Sequence, residues 1–257
     1  MFSIKSFPFH AIYYFFALVL LYTPLVLLVV FSFNEGNTLV FPLRGFTLDW
    51  YKALFQADDL LQAMYNSLLV GVVSSLAAVV LGTMAALATT RFHFPGRDFF
   101  LTAGTLPLII PDLAMGVSLQ LLFHWSGISL SLWTVGCSHV MVNIPYVMLI
   151  VSPRLQTFQG NIEEASMDLG ASYWRTLFKI TLPVCAPVLL AGFLYSFGIS
   201  FDEFDLSYFV TGTYETLPVY LYSQLRFPGR LPLVLALSTI IIALSLILLL
   251  LTEILSD

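Results

Sequence analysis

The most chemically suggestive groups in this chain are acids that fall where acids are costly. Asp112 follows Leu106-Pro107-Leu108-Ile109-Ile110-Pro111 inside a long apolar run. Asp202, Glu203 and Asp205 follow Gly198-Ile199-Ser200-Phe201 at the end of another. A carboxylate at such a place is a functional candidate by default. The plain alternative for Asp112 is an acid satisfied by a nearby hydroxyl, histidine or backbone group, and for Asp205 a solvated loop acid. Asp202 and Glu203 side by side, with no basic residue near them in sequence, favour a cationic over an anionic ligand. Tyr195, Phe197, Phe201, Phe204, Tyr208 and Phe209 surround them in sequence. Their rings offer cation–π faces to ammonium groups, although aromatic stripes in apolar helices more often serve packing or interface belts.

Covalent chemistry is not indicated. Ser200 stands near Asp202 with no histidine beside it, which does not make a hydrolase. His139 and His124 have no second ligand at metal spacing, so a hydrogen-bonded structural role is expected of them. Cys137 and Cys185 sit in apolar segments and form no CxxC pair, which fits packed thiols. None of the three lysines, Lys5, Lys52 and Lys179, lies in a G-x-x-x-x-G-K-[ST] phosphate loop. If the chain works at the expense of ATP, the motor is another subunit.

The elements that must position these residues are membrane helices. Of the 257 residues, 59% are hydrophobic and 10% charged, against roughly 25% charged in a soluble domain. With a mean hydropathy of +0.92 the apolar surface exceeds what one soluble core buries, and a bilayer is the solvent that fits. Apolar runs predict six spans, at about 11–33, 64–90, 99–124, 130–151, 184–201 and 232–252. The first is too long for a signal-peptide core and ends in Phe-Ser-Phe-Asn without a small-residue cleavage site, so it reads as a retained span. Asp112 then falls about 13 residues, or roughly 20 Å, into the third span, near the midplane. Pro107 and Pro111 should loosen that helix and free carbonyls towards a cavity. An N-in topology puts Lys5, Arg91, Arg97, Arg154, Arg175 and Lys179 inside, and Arg44, Lys52, Arg226 and Arg230 outside. Two connections are too long for simple turns: 34–63, outside, and 152–183, inside.

The inner connection reads as an elbow. Asn161 suits an N-cap, Glu163 and Glu164 suit the positive end of a helix dipole, and Ile162, Ala165 and Leu169 recur at helical spacing. A helix is expected over 162–169, with Gly170 as its C′ residue. Ser172 can cap a second short helix that Pro183 limits. Small residues at the bend, Ala165, Gly170 and Ala171, let another backbone approach. On physical grounds alone an amphipathic helix lying on the inner leaflet is an equal alternative.

Glu164-Ala165-Ser166, then Gly170-Ala171, then Ile180-Thr181-Leu182-Pro183 resembles the EAA signature of ABC importer permeases, with Ser166 in place of the usual third alanine. The resemblance implies an all-α type I importer permease with a single transmembrane domain over 1–257 and a cytoplasmic coupling helix. Glu164, Ala165, Asp168, Gly170 and Ala171 would dock into a nucleotide-binding subunit. Ser-x-Asp-Glu at 200–203, Tyr208-Phe209-Val210-Thr211-Gly212, Thr216-Leu217-Pro218, Thr47-Leu48-Asp49-Trp50-Tyr51 and Pro111-Asp112 are similar to the spermidine/putrescine importer permeases of the C type, over about 20–250. By that resemblance Asp112, Asp202 and Trp50 fall on positions associated with polyamine handling, and Glu203, the acid beside Asp202, is expected on the same substrate path. The implied partners are a second permease, two ATP-binding subunits that hold the ATP and Mg, and a periplasmic binding protein, in a bacterial inner membrane. No cofactor is expected in this chain. Other readings are another cargo, such as ferric iron or an amino-organic solute, and an ion-coupled secondary transporter using Asp112. The missing inverted repeats and the elbow weigh against the latter.

Overall fold

A computed structural model describes residues 7–157 and 160–256. The chain is helical. Its elements are α1 (Phe7–Ser32), α2 (Asp49–Leu54), α3 (Asp58–Arg91), α4 (Arg97–Thr105), α5 (Asp112–Trp125), α6 (Leu132–Thr157), α7 (Gly160–Asp168), α8 (Tyr173–Thr176), α9 (Leu182–Asp202), α10 (Asp205–Val210), α11 (Leu217–Gln224) and α12 (Leu231–Ser256). Among the described residues strand-like pairing is confined to one bridge, Asn34 with Phe46. Four helical stretches are long and apolar enough to cross a membrane: Ala11–Ser32, Asp58–Arg91, Leu132–Thr157 and Tyr173–Asp202. The bent pair Arg97–Leu108 and Asp112–Trp125 adds a fifth if it counts as one span. The run expected at about 232–252 falls on α12, whose apolar part with described side chains is the shorter Leu231–Ile247.

The residues group into two compact units, 1–61 with 221–257, and 62–220. In the first, α1 and α2 both pack on α12. Most α1 side chains from Ile12 to Val26 remain exposed, as expected of a helix that is apolar all round and faces lipid. The connection after α1 is folded around Asn34, which is 2% exposed. Asn34 Nδ2 donates to the Thr38 carbonyl at 3.3 Å, and its Oδ1 accepts from the Arg44 N–H at 3.1 Å. The Trp50 indole N–H donates to the Asn34 carbonyl at 2.9 Å, and Ser32 and Tyr51 share a 2.7 Å hydroxyl bond.

The second unit is organised around α6, which buries more than half of its apolar stretch. Towards its C-terminal half, Val147, Met148, Val151 and Leu155 meet Ala78, Ala86 and Leu87 of α3, with Leu177 and Cys185 closing the cluster. Towards its N-terminal half, Val135 and Val142 meet Val70 of α3, Met115 of α5, and Leu206 and Val210 of α10. Lipid tails are as apolar as leucine, so close backbone approach rather than hydrophobic burial holds such helices together. Gly82 shows how close. A Cβ there would stand 2.7 Å from Val147 Cβ and 2.9 Å from the Ile144 carbonyl. Cys185 is buried in this core, Cys137 is exposed, and the two are unpaired.

The structure corrects two expectations. The third run is not one helix: α4 ends in a 3₁₀ turn at Leu106–Leu108, and α5 leaves at 105° to it. Pro107 and Pro111 remove two donors, and a proline drives the residue before it out of the helical region. Pro111 itself is extended, φ −58° and ψ 134°. The second correction is that Pro183 does not end the helix after Ser172, which runs on as one apolar helix to Asp202. A π-turn at Leu177–Thr181 lies just upstream, with Leu182 between it and Pro183. Its additional residue takes up the clash that the proline ring would have with the preceding turn.

Substituting Gly82→Ala should cost about 1–3 kcal/mol by overpacking. Gly104→Ala, where a Cβ meets nothing within 4 Å, should be neutral or mildly stabilising. Thermal unfolding of the two purified variants distinguishes them.

Candidate functional site: an acidic corner and an inner elbow

The break in the third run sets the first site. Because the chain restarts at Pro111, Asp112 is the first residue of α5, not a residue in mid-helix. Acids in the first turn are favoured by the helix dipole, and Asp205 holds the same place on α10. α10 packs on α5, and the short connection from α9 brings Asp202 and Glu203 to the same corner. The charges of Asp112 and Asp205 interact, and Glu203 feels Asp112, Asp205 and Asp202. The structure thus gathers the four acids that the sequence separates by some ninety residues. Asp112 and Glu203 are half-buried, whereas Asp202 and Asp205 are exposed. Neither ion pair found among the described residues, Lys52–Asp49 or Arg91–Glu163, involves them.

Glu203 also has a structural task. Its Oε1 accepts from the Leu206 N–H at 3.0 Å, capping α10. Lying just beyond the end of the span, its carboxyl is pushed above the usual carboxylate range by burial, against the effect of that hydrogen bond. The neighbouring carboxylates add to the upward push. Beside the corner, Tyr146 of α6 and Tyr195 of α9 pair with ring centroids 5.4 Å apart, and Tyr146 lies within reach of the Asp112 and Glu203 charges. Phe204 and Tyr208 pair at 5.5 Å. Trp50 belongs to the other unit, with its indole donor engaged by Asn34.

Beneath the corner is a network that sequence spacing did not show. His139 of α6 is 2% exposed. Its Nδ1 bonds Ser200 Oγ of α9 at 2.5 Å, and its Nε2 bonds Ser207 Oγ of α10 at 2.8 Å. Ser200 in turn bonds Ser74 Oγ of α3 at 3.0 Å. Four helices are tied by one imidazole and three hydroxyls. Both histidine nitrogens are spent on serines, with no carboxylate orienting the ring as a nucleophile–base pair would need. The available signal was the depth of Ser74, His139 and Ser200 in apolar runs, where polar groups seek one another. Choosing the partners requires the helix register.

The second site is the elbow. α7 ends at Asp168, and Gly170 follows at φ +90°. The Ala171 N–H donates to the Ser166 carbonyl at 3.1 Å and the Gly170 N–H to the Met167 carbonyl at 2.9 Å, which is a Schellman cap. Asn161 stands inside α7, and its side chain lies outside the described ones. Ser172 caps α8 by accepting from the Arg175 N–H at 3.4 Å. Glu164, Ala165, Asp168 and Gly170 are exposed and Ala171 is half-buried. Leu169, 90% exposed, is the most open apolar side chain of the elbow. Glu163 is turned inward: Oε2 lies 3.0 Å from Arg91 Nε, and Oε1 accepts from Thr181 Oγ1 at 2.7 Å.

Several helices long and apolar enough to cross a membrane and a glycine-capped elbow between two of them are the frame of a multi-pass membrane protein, and residues 78–257 match the family described as binding-protein-dependent transport system inner membrane component. The chain belongs to that family, the permeases of ABC importers. It is 38% identical to the spermidine/putrescine transport system permease protein PotC of Escherichia coli (strain K12), over 92% of this chain and 89% of that one. It is 37% identical to the putrescine transport system permease protein PotI of the same strain, over 86% and 81%. In fold it matches a bacterial ABC transporter involved in the import of the acidic polysaccharide alginate, with a TM-score of 0.74, 13% identity and 98% of both chains covered.

His139→Ala would leave Ser207 without its imidazole partner and Ser200 with Ser74 alone. An unsatisfied buried group costs about 1–3 kcal/mol, so the unfolding midpoint should fall. Ser74→Ala keeps both histidine bonds and should cost less. Thermal unfolding of the two purified variants measures the difference.

Proposed function

We propose that this chain is the permease subunit through which a polyamine, spermidine or putrescine, crosses a bacterial inner membrane in an ATP-driven importer. The observation that carries the reading is the corner itself. Four carboxylates with no ion-pair partner among the described residues meet beside paired aromatic rings at a break in a membrane helix. Carboxylates suit ammonium groups, and aromatic faces suit both the ammonium groups and the methylene stems between them. Among the described residues His, Cys, Asp and Glu do not group as metal ligands would. Several separate carboxylates can meet the several ammonium groups of a polyamine in succession. The names of the relatives point to the same cargo.

In this reading Asp112, Asp202 and Glu203 line the path. Trp50 is assigned to the path by the sequence resemblance alone, and its N–H is engaged by Asn34. Each contact must be weak enough to release the cargo inward. The chain pairs with a second permease. Two ATP-binding subunits hold ATP and Mg, so this chain needs no cofactor, and a periplasmic binding protein delivers substrate from outside. The elbow docks on an ATP-binding subunit through Glu164, Ala165, Asp168, Gly170 and Ala171. The small residues Ala165, Gly170 and Ala171 at the bend support this, because they leave room for another backbone to approach closely. The N-terminus lies inside, with 34–63 and 202–231 outside and 152–183 inside.

Asp112→Asn and Asp202→Asn keep the shape and remove the charge. Each should lower polyamine uptake roughly tenfold, a loss of about 1.4 kcal/mol of cation attraction, while leaving assembly intact. If both variants assemble and transport spermidine and putrescine at wild-type rates, these acids are not on the path. Topology has its own test. With Cys137 and Cys185 replaced, a cysteine at position 167 should be labelled by a membrane-impermeant reagent only from the inner side, and labelling from outside would overturn the orientation.

A further inference from the structure

We propose that Glu163, rather than its neighbour Glu164, is the positioning residue that passes movement of the inner elbow to the membrane helices. The proposal rests on the importer reading above, in which α7 docks on an ATP-binding subunit. Successive residues of a helix point about 100° apart. Glu164 accordingly faces water while Glu163 faces back into the chain, its side chain 17% exposed. Both oxygens of that carboxylate are in use. Oε2 lies 3.0 Å from Nε of Arg91, the last residue of α3. Oε1 accepts from Thr181 Oγ1 at 2.7 Å, inside the π-turn that leads into α9. One carboxylate therefore ties three elements together.

A second tie lies one turn along the same face, where Ser166 and Thr176 share a hydroxyl bond of 3.0 Å. Ser166 occupies the position at which the signature usually has alanine, so that departure creates a bond a methyl group could not make. The ion pair is not an ordinary surface pair. Arg91 and Glu163 are 19% and 17% exposed, so solvent screens them little, and a charged acceptor strengthens the hydroxyl bond. The two helices held in this way are those that matter at the far end. α9 carries Asp202, and α3 carries Ser74, which bonds Ser200 of α9. Single π-turns inside helices are frequently found at functional sites. Glu163 grips that turn through Thr181.

The test uses the whole importer, this chain with its second permease, ATP-binding subunits and binding protein, reconstituted in proteoliposomes. The readout is polyamine imported per ATP hydrolysed. Glu163→Gln keeps an acceptor for Thr181 and removes the charge. Thr181→Val keeps the ion pair and removes the hydroxyl. Each should lower the ratio about tenfold, the equivalent of one charge-assisted bond. The exchange Arg91→Glu with Glu163→Arg restores a pair of opposite sign and should raise the ratio at least threefold above Glu163→Gln, a rescue that loss of fold alone would not show. An unchanged ratio in Glu163→Gln overturns the proposal, and so does a loss that the exchange fails to recover. Should Glu163→Gln not assemble, Thr181→Val decides, and a wild-type ratio there overturns the proposal. Glu164→Lys separates this idea from docking. If it assembles and couples normally, the docking reading fails and this proposal with it. If it is defective while Glu163→Gln is normal, only the present proposal fails.

Discussion

Hydrocarbon offers no hydrogen bonds, so a polar group placed at membrane depth must find its partner within the protein or line a polar cavity. Much in this chain follows from how that constraint is met. Interrupting a helix in lipid exposes backbone groups, yet the third run is interrupted at Pro107–Pro111, and the freed helix start is used. It receives Asp112 at the positive end of α5 and sits beside α10, which begins with an acid of its own. The cost of the break and the cost of the acids are met together, because dipole ends accept carboxylates that a mid-helix position would not. The corner remains negative because four acids share it, and nothing in the helix ends neutralises a net charge of that size. That residual field is what a polycation would meet.

The same constraint explains the layer below. His139 and the three serines spend their hydrogen bonds on one another, so their burial costs little and the corner above has a fixed floor. A loosely held corner would allow the acids to move apart and screen themselves with water. The cross-tie between α9 and α10 matters most, since those helices flank the connection that carries Glu203.

The class of the protein was legible in the sequence because it depends on local and additive properties. Composition implies a bilayer, and the run from Glu164 to Pro183 carries a signature whose spacing is itself structural, the left-handed Gly170 being one element of it. The acids were legible as exceptions within apolar runs. What was not legible depends on direction and register. Hydropathy cannot distinguish a straight span at 99–124 from two helices at 105°, because both are equally apolar. Pro107 and Pro111 announced a weakness without its angle. Pro183 marks a helix terminus in the sequence, where the π-turn upstream that absorbs it has no signature. In the sequence Arg91 is an inner-side charge and Glu163 a partner for a helix dipole, with nothing to link the two. Their pairing spans a whole helical hairpin, and only the packing of α3 against the elbow reveals it.

The continuity through Pro183 has a mechanical consequence. Had the helix ended there, the second arm of the elbow and the span bearing Asp202 would have been separate pieces joined by a hinge, and a push on one would have been dissipated in the joint. As one helix from Tyr173 to Asp202, roughly 45 Å long at 1.5 Å per residue, it is a rod with the elbow at one end and the acids at the other. A small tilt at the elbow end would then be delivered as a displacement at the acidic end. The π-turn is the one place along it where the helix is widened, and it lies beside the elbow rather than beside the acids. The widened turn therefore lies at the end where the ATP-driven subunit is proposed to act, with Pro187 as a second irregularity further along the helix. Within the proposed cycle, Asp202 would move with this helix, while Asp112 on α5 and Asp205 on α10 are carried by their own elements.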